Sequence, residues 1–270
     1  MDFKKLIGKF TIYQYMSFFL VILVLASALV PSYGFGAKSL FPVVIAVITA
    51  VLLDMIFEYF KSKTIEFPYS ALISGLLIGG LLTQGLKWHV YAIASVIAIL
   101  SKHLIKVHHR HIFNPANFGV LLVFLIFGAH NSWWLASPVA LATVFGIFLV
   151  WRLRRIDLAL SFLIAYFFIE SAIKINNGAG FSEIISFVEN SGIILFFAMF
   201  MLTEPKTNPA GKKQRMIYGI LVAIMYIPIE MQRPDYGVVF MLAVANLFVP
   251  ALNRLRLNFW KKETPNNLKS

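Results

Sequence analysis

The sequence predicts an all-α polytopic membrane protein of about ten transmembrane helices, arranged as two inverted five-helix repeats with both termini cytoplasmic. Three observations carry this. Apolar residues make up 59% of the 270 residues and charged residues 13%, with a mean hydropathy of +0.79, far from the usage of a water-solvated domain. All of the 24 Lys and Arg except Lys38, Lys87, Lys174 and Arg233 fall in alternate loops or at the chain ends, as an even number of spans under the positive-inside rule requires. Two polar, proline-broken elements interrupt the apolar runs: His111-Ile-Phe-Asn114-Pro115-Ala-Asn117-Phe-Gly119 and Met201-Leu-Thr203-Glu204-Pro205-Lys-Thr207-Asn208-Pro209. Irregular polar backbone persists at membrane depth only where protein or a cavity satisfies it, so the two elements mark one central site built from both halves.

The spans read as 11–30, 40–60, 70–83, 90–105, 113–129, 134–151, 158–169, 192–203, 216–231 and 236–250, each near the length that crosses a bilayer. The first follows Lys4, Lys5 and Lys9 and resembles a signal peptide ending at Ala26-Ser27-Ala28. Cleavage there would spoil the charge alternation, so it reads as a retained anchor. The third, 70–83, is short and carries Gly75 and Gly79, a spacing for close helix packing. The fifth opens at Pro115, suited to a first helical turn. Between the seventh and eighth lies the one sizeable external loop, 170–190, whose apolar piece 181–188 suits the membrane interface. The eighth, 192–203, is again short and ends at Pro205. Each short segment is third in its group of five, and each is followed by a span holding a buried-type Asn, Asn117 and Asn246. Short segments at matching places in inverted halves point to a binding site near the midplane; tilted full spans are the plainer alternative. One transmembrane domain, 1–253, with halves 1–131 and 132–253, precedes a cytoplasmic tail, 254–270.

The basic balance of +12 reflects membrane orientation and not nucleic-acid binding. The absence of cysteine excludes disulfides and thiolate metal or iron–sulfur sites within this chain. No nucleophile–His–acid set, phosphate loop or dinucleotide fingerprint occurs, so no catalytic residue is assigned.

Asn114 and Asn117 share a face at the start of the fifth span, where free N–H groups suit an anionic or carbonyl-bearing ligand. They read equally as an N-cap and an interhelical hydrogen bond. Glu204 holds a cation, accepts from a ligand N–H, or pairs with Lys206 or a neighbouring basic loop; an intramembrane carboxylate favours a site role. Asp54 and Glu58 read as snorkelling carboxylates satisfied by Lys61 and Lys63. Glu230, Arg233 and Asp235 read as a structural ion-pair network. His103, His108, His109 and His111 lack the i, i+4 spacing and a local carboxylate, so they read as a solvated basic loop and no metal site is expected. The 26 Phe residues fill the core and face lipid; only those beside the broken elements are placed to stack on a ring.

The order of these motifs resembles the membrane subunits NqrB, of the sodium-pumping NADH:quinone reductase, and RnfD, of the Rnf electron-transport complex. Four places carry the resemblance: Ser70-Ala-Leu-Ile-Ser-Gly-Leu-Leu, the His111–Gly119 element, Thr203-Glu-Pro-Lys-Thr-Asn-Pro209, and Tyr236-Gly-Val-Val-Phe with Ala245-Asn-Leu-Phe-Val-Pro250. It implies two inverted five-helix halves, as in urea transporters, together with flavin binding and electron transfer. The family's covalent FMN sits on the Thr of a Ser/Thr-Gly-Ala-Thr motif expected after the fifth span. Here that region is Gly128-Ala-His-Asn-Ser-Trp-Trp-Leu-Ala-Ser137, so covalent attachment is not supported. The usual Thr-Asp-Pro is Thr203-Glu204-Pro205, and the chain is shorter than the usual subunits. The expectation is therefore a membrane electron-transport subunit that binds riboflavin or FMN non-covalently between the halves, at Asn114, Asn117, Thr203, Glu204, Asn208 and Asn246. Its partners would be membrane lipid and other redox-complex subunits in a bacterial-type plasma membrane. A transporter or channel for a small solute or ion, using the same elements without redox chemistry, is the competing reading, and a scaffold role is the third.

Overall fold

The computed structural model describes residues 10–63, 66–107, 110–232 and 236–255. Lys4, Lys5, Lys9, His108, His109, the Glu230–Arg233–Asp235 network and the tail after Leu255 lie outside what is described. Among the described residues the first half holds α1 (Ile12–Leu29), α2 (Leu40–Ser62), α3 (Tyr69–Leu81), α4 (Trp88–Leu104) and α5 (Pro115–Phe127). A two-stranded antiparallel hairpin, β1 (Lys106–Val107) and β2 (Arg110–His111), joins α4 to α5. The second half holds α6 (Val139–Leu153), α7 (Ile156–Asn176), α8 (Phe181–Glu189), α9 (Gly192–Phe196, continued as a π turn over Phe197–Met201), α10 (Lys212–Gln232) and α11 (Gly237–Arg254). Ten of these helices fall on the ten expected spans. The eleventh, α8, is the apolar piece of the external loop and buries no residue, as an interfacial helix should.

Local chemistry sets the ends. Thr11 and Gln14 form a reciprocal capping box at the start of α1, with Thr11 N–H donating to Gln14 Oε1 at 2.8 Å. The fifth span is shorter than 113–129. Asn114 caps its start with its side chain, and Gly128 at φ +63° ends it in the left-handed conformation that glycine adopts without strain. Conversely, α10 begins at Lys212, so Lys212, Lys213 and Arg215 stand on a helix and not in a loop.

The helices α1, α2, α7 and α11 are long and apolar enough to cross a membrane, and α8 with α9 forms a pair bent by 46°. The helices α3, α4, α5 and α6 are shorter and apolar. Large apolar side chains such as Phe18, Phe41, Ile164 and Phe168 point outward, the inverse of a water-soluble surface. In contrast, α3 is buried along almost its whole length. Its Gly75 and Gly79 lie against α2 so closely that added Cβ atoms would sit 2.6 and 2.5 Å from Val47 Cα and Val43 Cα, the close packing expected of the pair.

The halves meet through equivalent elements. Helix α1 packs on α6, with Tyr15 against Phe148 at 5.2 Å and Phe19 stacked on Phe145 at 4.2 Å between ring centroids. Helix α5 packs on α11, with Phe124 against Tyr236 at 4.0 Å. In both pairs the partner number falls as the chain number rises, so first meets first and fifth meets last, antiparallel. Antiparallel contact between helices of matching order is the arrangement that two inverted halves would give.

Candidate functional site

Both short helices end in polar, non-helical backbone, and each end is clasped by a segment from elsewhere in the chain. At the end of α3, the Leu81 carbonyl accepts from Ser132 N–H (2.8 Å) and Trp133 N–H (3.2 Å), and Thr83 N–H donates to the His130 carbonyl (2.9 Å). Trp134 Nε1–H donates to the Gly79 carbonyl at 3.0 Å. At the end of α9, a π turn closes with Leu202 N–H on the Phe197 carbonyl (3.0 Å), and Thr203 Oγ1 donates back to the Met199 carbonyl (2.7 Å). Pro205 prevents a further turn. Arg110, on β2, then donates to the freed Pro205 carbonyl and reaches the Asn208 carbonyl at 3.5 Å. Asn208 Nδ2 donates to the Glu204 carbonyl at 2.7 Å. The backbone freed by each break is thereby satisfied by protein.

The amides join the halves. Asn114 Oδ1 accepts from Asn117 N–H at 3.1 Å, the N-cap of the plainer reading. Asn117, fully buried, donates through Nδ2 to the Val239 carbonyl on α11 at 2.8 Å, the interhelical bond of that same reading. Asn246 answers from α11. In the orientation that satisfies its neighbours, its oxygen accepts from Asn114 N–H (3.1 Å) and its nitrogen donates to the Thr207 carbonyl (3.2 Å) and Tyr218 Oη (2.9 Å). Two buried acceptors, Asn117 Oδ1 and Asn208 Oδ1, have no protein partner. Of the six expected residues, Asn114, Asn117 and Asn246 are joined at the start of α5, Asn246 reaches the segment after α9 through the Thr207 carbonyl, Asn208 bonds the Glu204 carbonyl there, and Thr203 bonds back to Met199.

Two partners of Asp54, Lys102 and His103, escaped sequence reasoning, whereas Glu204 meets the neighbouring basic loop that was one of its expected partners. Glu204 pairs with His111, Oε1 to Nε2 at 3.0 Å, and not with Lys206. The side chain of Lys206 leaves toward the Tyr13 ring. Desolvation and the neighbouring Lys102 ammonium hold Lys206 below the ordinary lysine range, against the pull of Glu204. Asp54 does not snorkel to Lys61 and Lys63. It is 1% exposed, and its carboxylate binds Lys102 Nζ at 2.9 and 2.7 Å and His103 Nε2 at 2.6 Å. Lys102 also donates to Ser70 Oγ at 2.6 Å. Only Glu58 meets Lys61, at 3.9 Å. The reason is depth: Asp54 lies two turns inside the end of α2, where a partner on the adjacent α4 is nearer than Lys61. His103 and His111 therefore each have a carboxylate, although none is near in sequence. Among the described residues no three His, Asp or Glu converge to hold a metal.

Between the halves these groups enclose a space of about 40 Å³, bordered by Tyr13, Ser70, Lys102, His111, Thr203 and Glu204. Ring-ligand pockets run to roughly 300–1,000 Å³. A flavin does not fit beside Asn114 and Glu204 in this shape; a water molecule or small ion does. A second space of about 230 Å³, lined by Arg110, Lys206, Asn246 and Arg254, opens at the hairpin end and shares His111 with the first. At the opposite end an open cleft of about 790 Å³ is walled by Trp133, Tyr166, Phe187 and Tyr226, with Lys174 and Glu183 at its edge. It begins at Asn131-Ser132-Trp133, the residues that follow the fifth span. Its formation depends on α8 folding back toward α7, with Phe187 meeting Tyr166 at 6.0 Å, which no local sequence signal announces.

Comparison with known proteins identifies the family. A profile of the NQR2, RnfD, RnfE family matches residues 8–143 and 131–258. The D-type subunit of an ion-translocating oxidoreductase complex from Haemophilus influenzae (strain PittEE) is 26% identical over 200 residues, 72% of this chain and 54% of that protein. The corresponding D-type protein of Buchnera aphidicola subsp. Schizaphis graminum is 30% identical over 106 residues, 38% of this chain and 30% of that protein. The B-type subunit of a Na(+)-translocating NADH-quinone reductase from Chlamydia felis is 30% identical over 73 residues, 26% of this chain and 14% of that protein. The chain spans about half the length of the Haemophilus relative. Matched by the family profile over residues 8–143 and 131–258, and built of apolar helices several of which are long enough to cross a membrane, this integral membrane protein belongs to the NQR2, RnfD, RnfE family.

Proposed function

We propose that the chain is a membrane electron-transport subunit of an ion-translocating redox complex, with riboflavin or FMN held non-covalently in the outer cleft. The carrying observation is that cleft. It is large enough for a ring ligand, lined by aromatic faces, and placed directly after the fifth span. Trp133, Tyr166, Phe187 and Tyr226 would pack on the ring system, and Lys174, whose ammonium lies 5.0 Å from the Phe187 ring, would meet a ribityl or phosphate end. A bound flavin supplies one- and two-electron transfer; the protein's part is to bind it, shield it from water and hold it beside the seam between the halves. By the positive-inside rule the hairpin end would face the cytoplasm and the cleft the far side of the membrane, which on this reading is a bacterial-type plasma membrane. Other subunits of the complex would supply and accept the electrons.

The purified protein, incubated with FMN or riboflavin and washed, is expected to show a flavin absorbance spectrum whose chromophore acid releases. Phe187→Ala with Lys174→Gln should lower the retained flavin about tenfold. A protein that stays colourless after incubation overturns the flavin reading.

The buried charges support a second reading, in which the central space passes a small ion or proton. Glu204 and Lys102 face the same space of about 40 Å³, and the unpartnered Asn117 and Asn208 oxygens lie in the surrounding cluster. In sealed proteoliposomes under an imposed potential, Glu204→Gln is expected to slow sodium or proton flux about tenfold or more. Unchanged flux removes Glu204 from the path.

A further inference from the structure

On the hairpin side, the ends of α6, α7 and α10 leave an open groove of about 940 Å³ that none of the roles above uses. Its mouth carries Arg152, Arg154 and Lys212, all exposed. The carboxylate lining it, Asp157, is already engaged: Arg215 Nε and Nη2 reach its two oxygens at 2.6–3.1 Å, and Arg215 Nη1 donates to the Ala210 carbonyl at 2.6 Å. That buried pair forms the floor and leaves the three cations at the mouth uncompensated. Away from the mouth the lining turns apolar, with Leu160, Ile164 and Met216 exposed along α7 and α10. Trp151 stands exposed at the rim, where indole rings favour the headgroup level.

We infer that this groove binds the headgroup and upper acyl chains of one anionic phospholipid. Charge confined to one end and apolar surface to the other matches an amphiphile with an anionic head, which neither a free anion nor an acidic peptide reproduces. One local feature fits: no side chain caps the start of α7, so N–H groups in its first turn remain for a phosphate oxygen. Arg152 and Lys212 stand on the ends of α6 and α10, and Arg154 follows directly on the end of α6, so helix ends position the mouth.

Native mass spectrometry of the full chain in detergent tests this, with phosphatidylglycerol and phosphatidylcholine of matched acyl chains as probes. Retention of phosphatidylglycerol should exceed that of phosphatidylcholine by about tenfold or more. The variant Arg152→Gln/Arg154→Gln/Lys212→Gln should lose that preference while melting like the wild type in phosphatidylcholine. The surface control Lys61→Gln/Lys63→Gln should keep it. Equal retention of the two lipids, a preference that survives the triple variant, or one lost equally in the control overturns the proposal. Displacement of the lipid by millimolar sn-glycerol 3-phosphate also overturns it, in favour of a soluble anion.

Discussion

Asp54→Leu is expected to lower the melting temperature of the detergent-solubilised protein by roughly 10 °C, from a loss of about 3–5 kcal/mol. The carboxylate is buried, and it is the counter-charge for Lys102 and a hydrogen-bond partner of His103. Removing it leaves an ammonium inside the protein with only Ser70 Oγ as acceptor. The penalty comes mainly from that uncompensated charge and less from the lost attraction. Hence Asp54→Leu/Lys102→Leu should recover most of the loss, because an apolar pair of similar volume needs no compensation. Thermal melts of the wild type, both single variants and the double variant form the cycle that checks this. Additive single losses would mean that the two groups are stabilised independently, and the account of a coupled pair fails.

How legible was this molecule in its sequence? The fold was largely so, because in a bilayer one rule dominates: every backbone group is satisfied within the protein. Apolar run lengths, basic loops and two proline breaks therefore announced the helices and, through their order, the repeat. Gly75 and Gly79 were legible for the same reason, since small residues four apart permit backbone contact. The expected site residues do gather, because Asn114, Asn117, Glu204 and Asn208 have no use for a lipid-facing position. What was not legible is pairing across distance. Glu204 and His111 are 93 residues apart, and Asp54 and His103 are 49 apart. Their proximity follows from which helices neighbour each other, a property of packing and not of local pattern. A signal was nevertheless present for Asp54: the spans 40–60 and 90–105 place Asp54, Lys102 and His103 inside helices, and charges inside spans pair with one another. The outer cleft was hidden because it joins the linker at Trp133 to the interfacial α8 and to α7, α9, α10 and α11 of the second half. The narrowness of the central space was hidden too, since side-chain volume around a site is decided only by packing.

Asn246→Leu is expected to be the most damaging substitution at the seam between the halves, with a loss of about 4 kcal/mol. Three polar groups depend on this one amide: Asn114 N–H at 3.1 Å, the Thr207 carbonyl at 3.2 Å and Tyr218 Oη at 2.9 Å. Asn246 is fully buried, so water does not replace the lost partners, and each stranded group costs about 1–3 kcal/mol. The two backbone groups belong to the two broken elements, one before α5 and one after Pro205. The amide is thus the joint that fixes one break relative to the other. Tyr218→Phe removes one of the three interactions and should cost only about 1 kcal/mol, which gives the series an internal scale. Hydrogen exchange separates a joint from ordinary core packing. In Asn246→Leu the amides of 114–118 and of 203–208 should both exchange faster, although they lie about ninety residues apart and on different halves. Faster exchange confined to α11 would show that Asn246 supports its own helix alone, and the two breaks would then be held together by Arg110 and the Glu204–His111 pair.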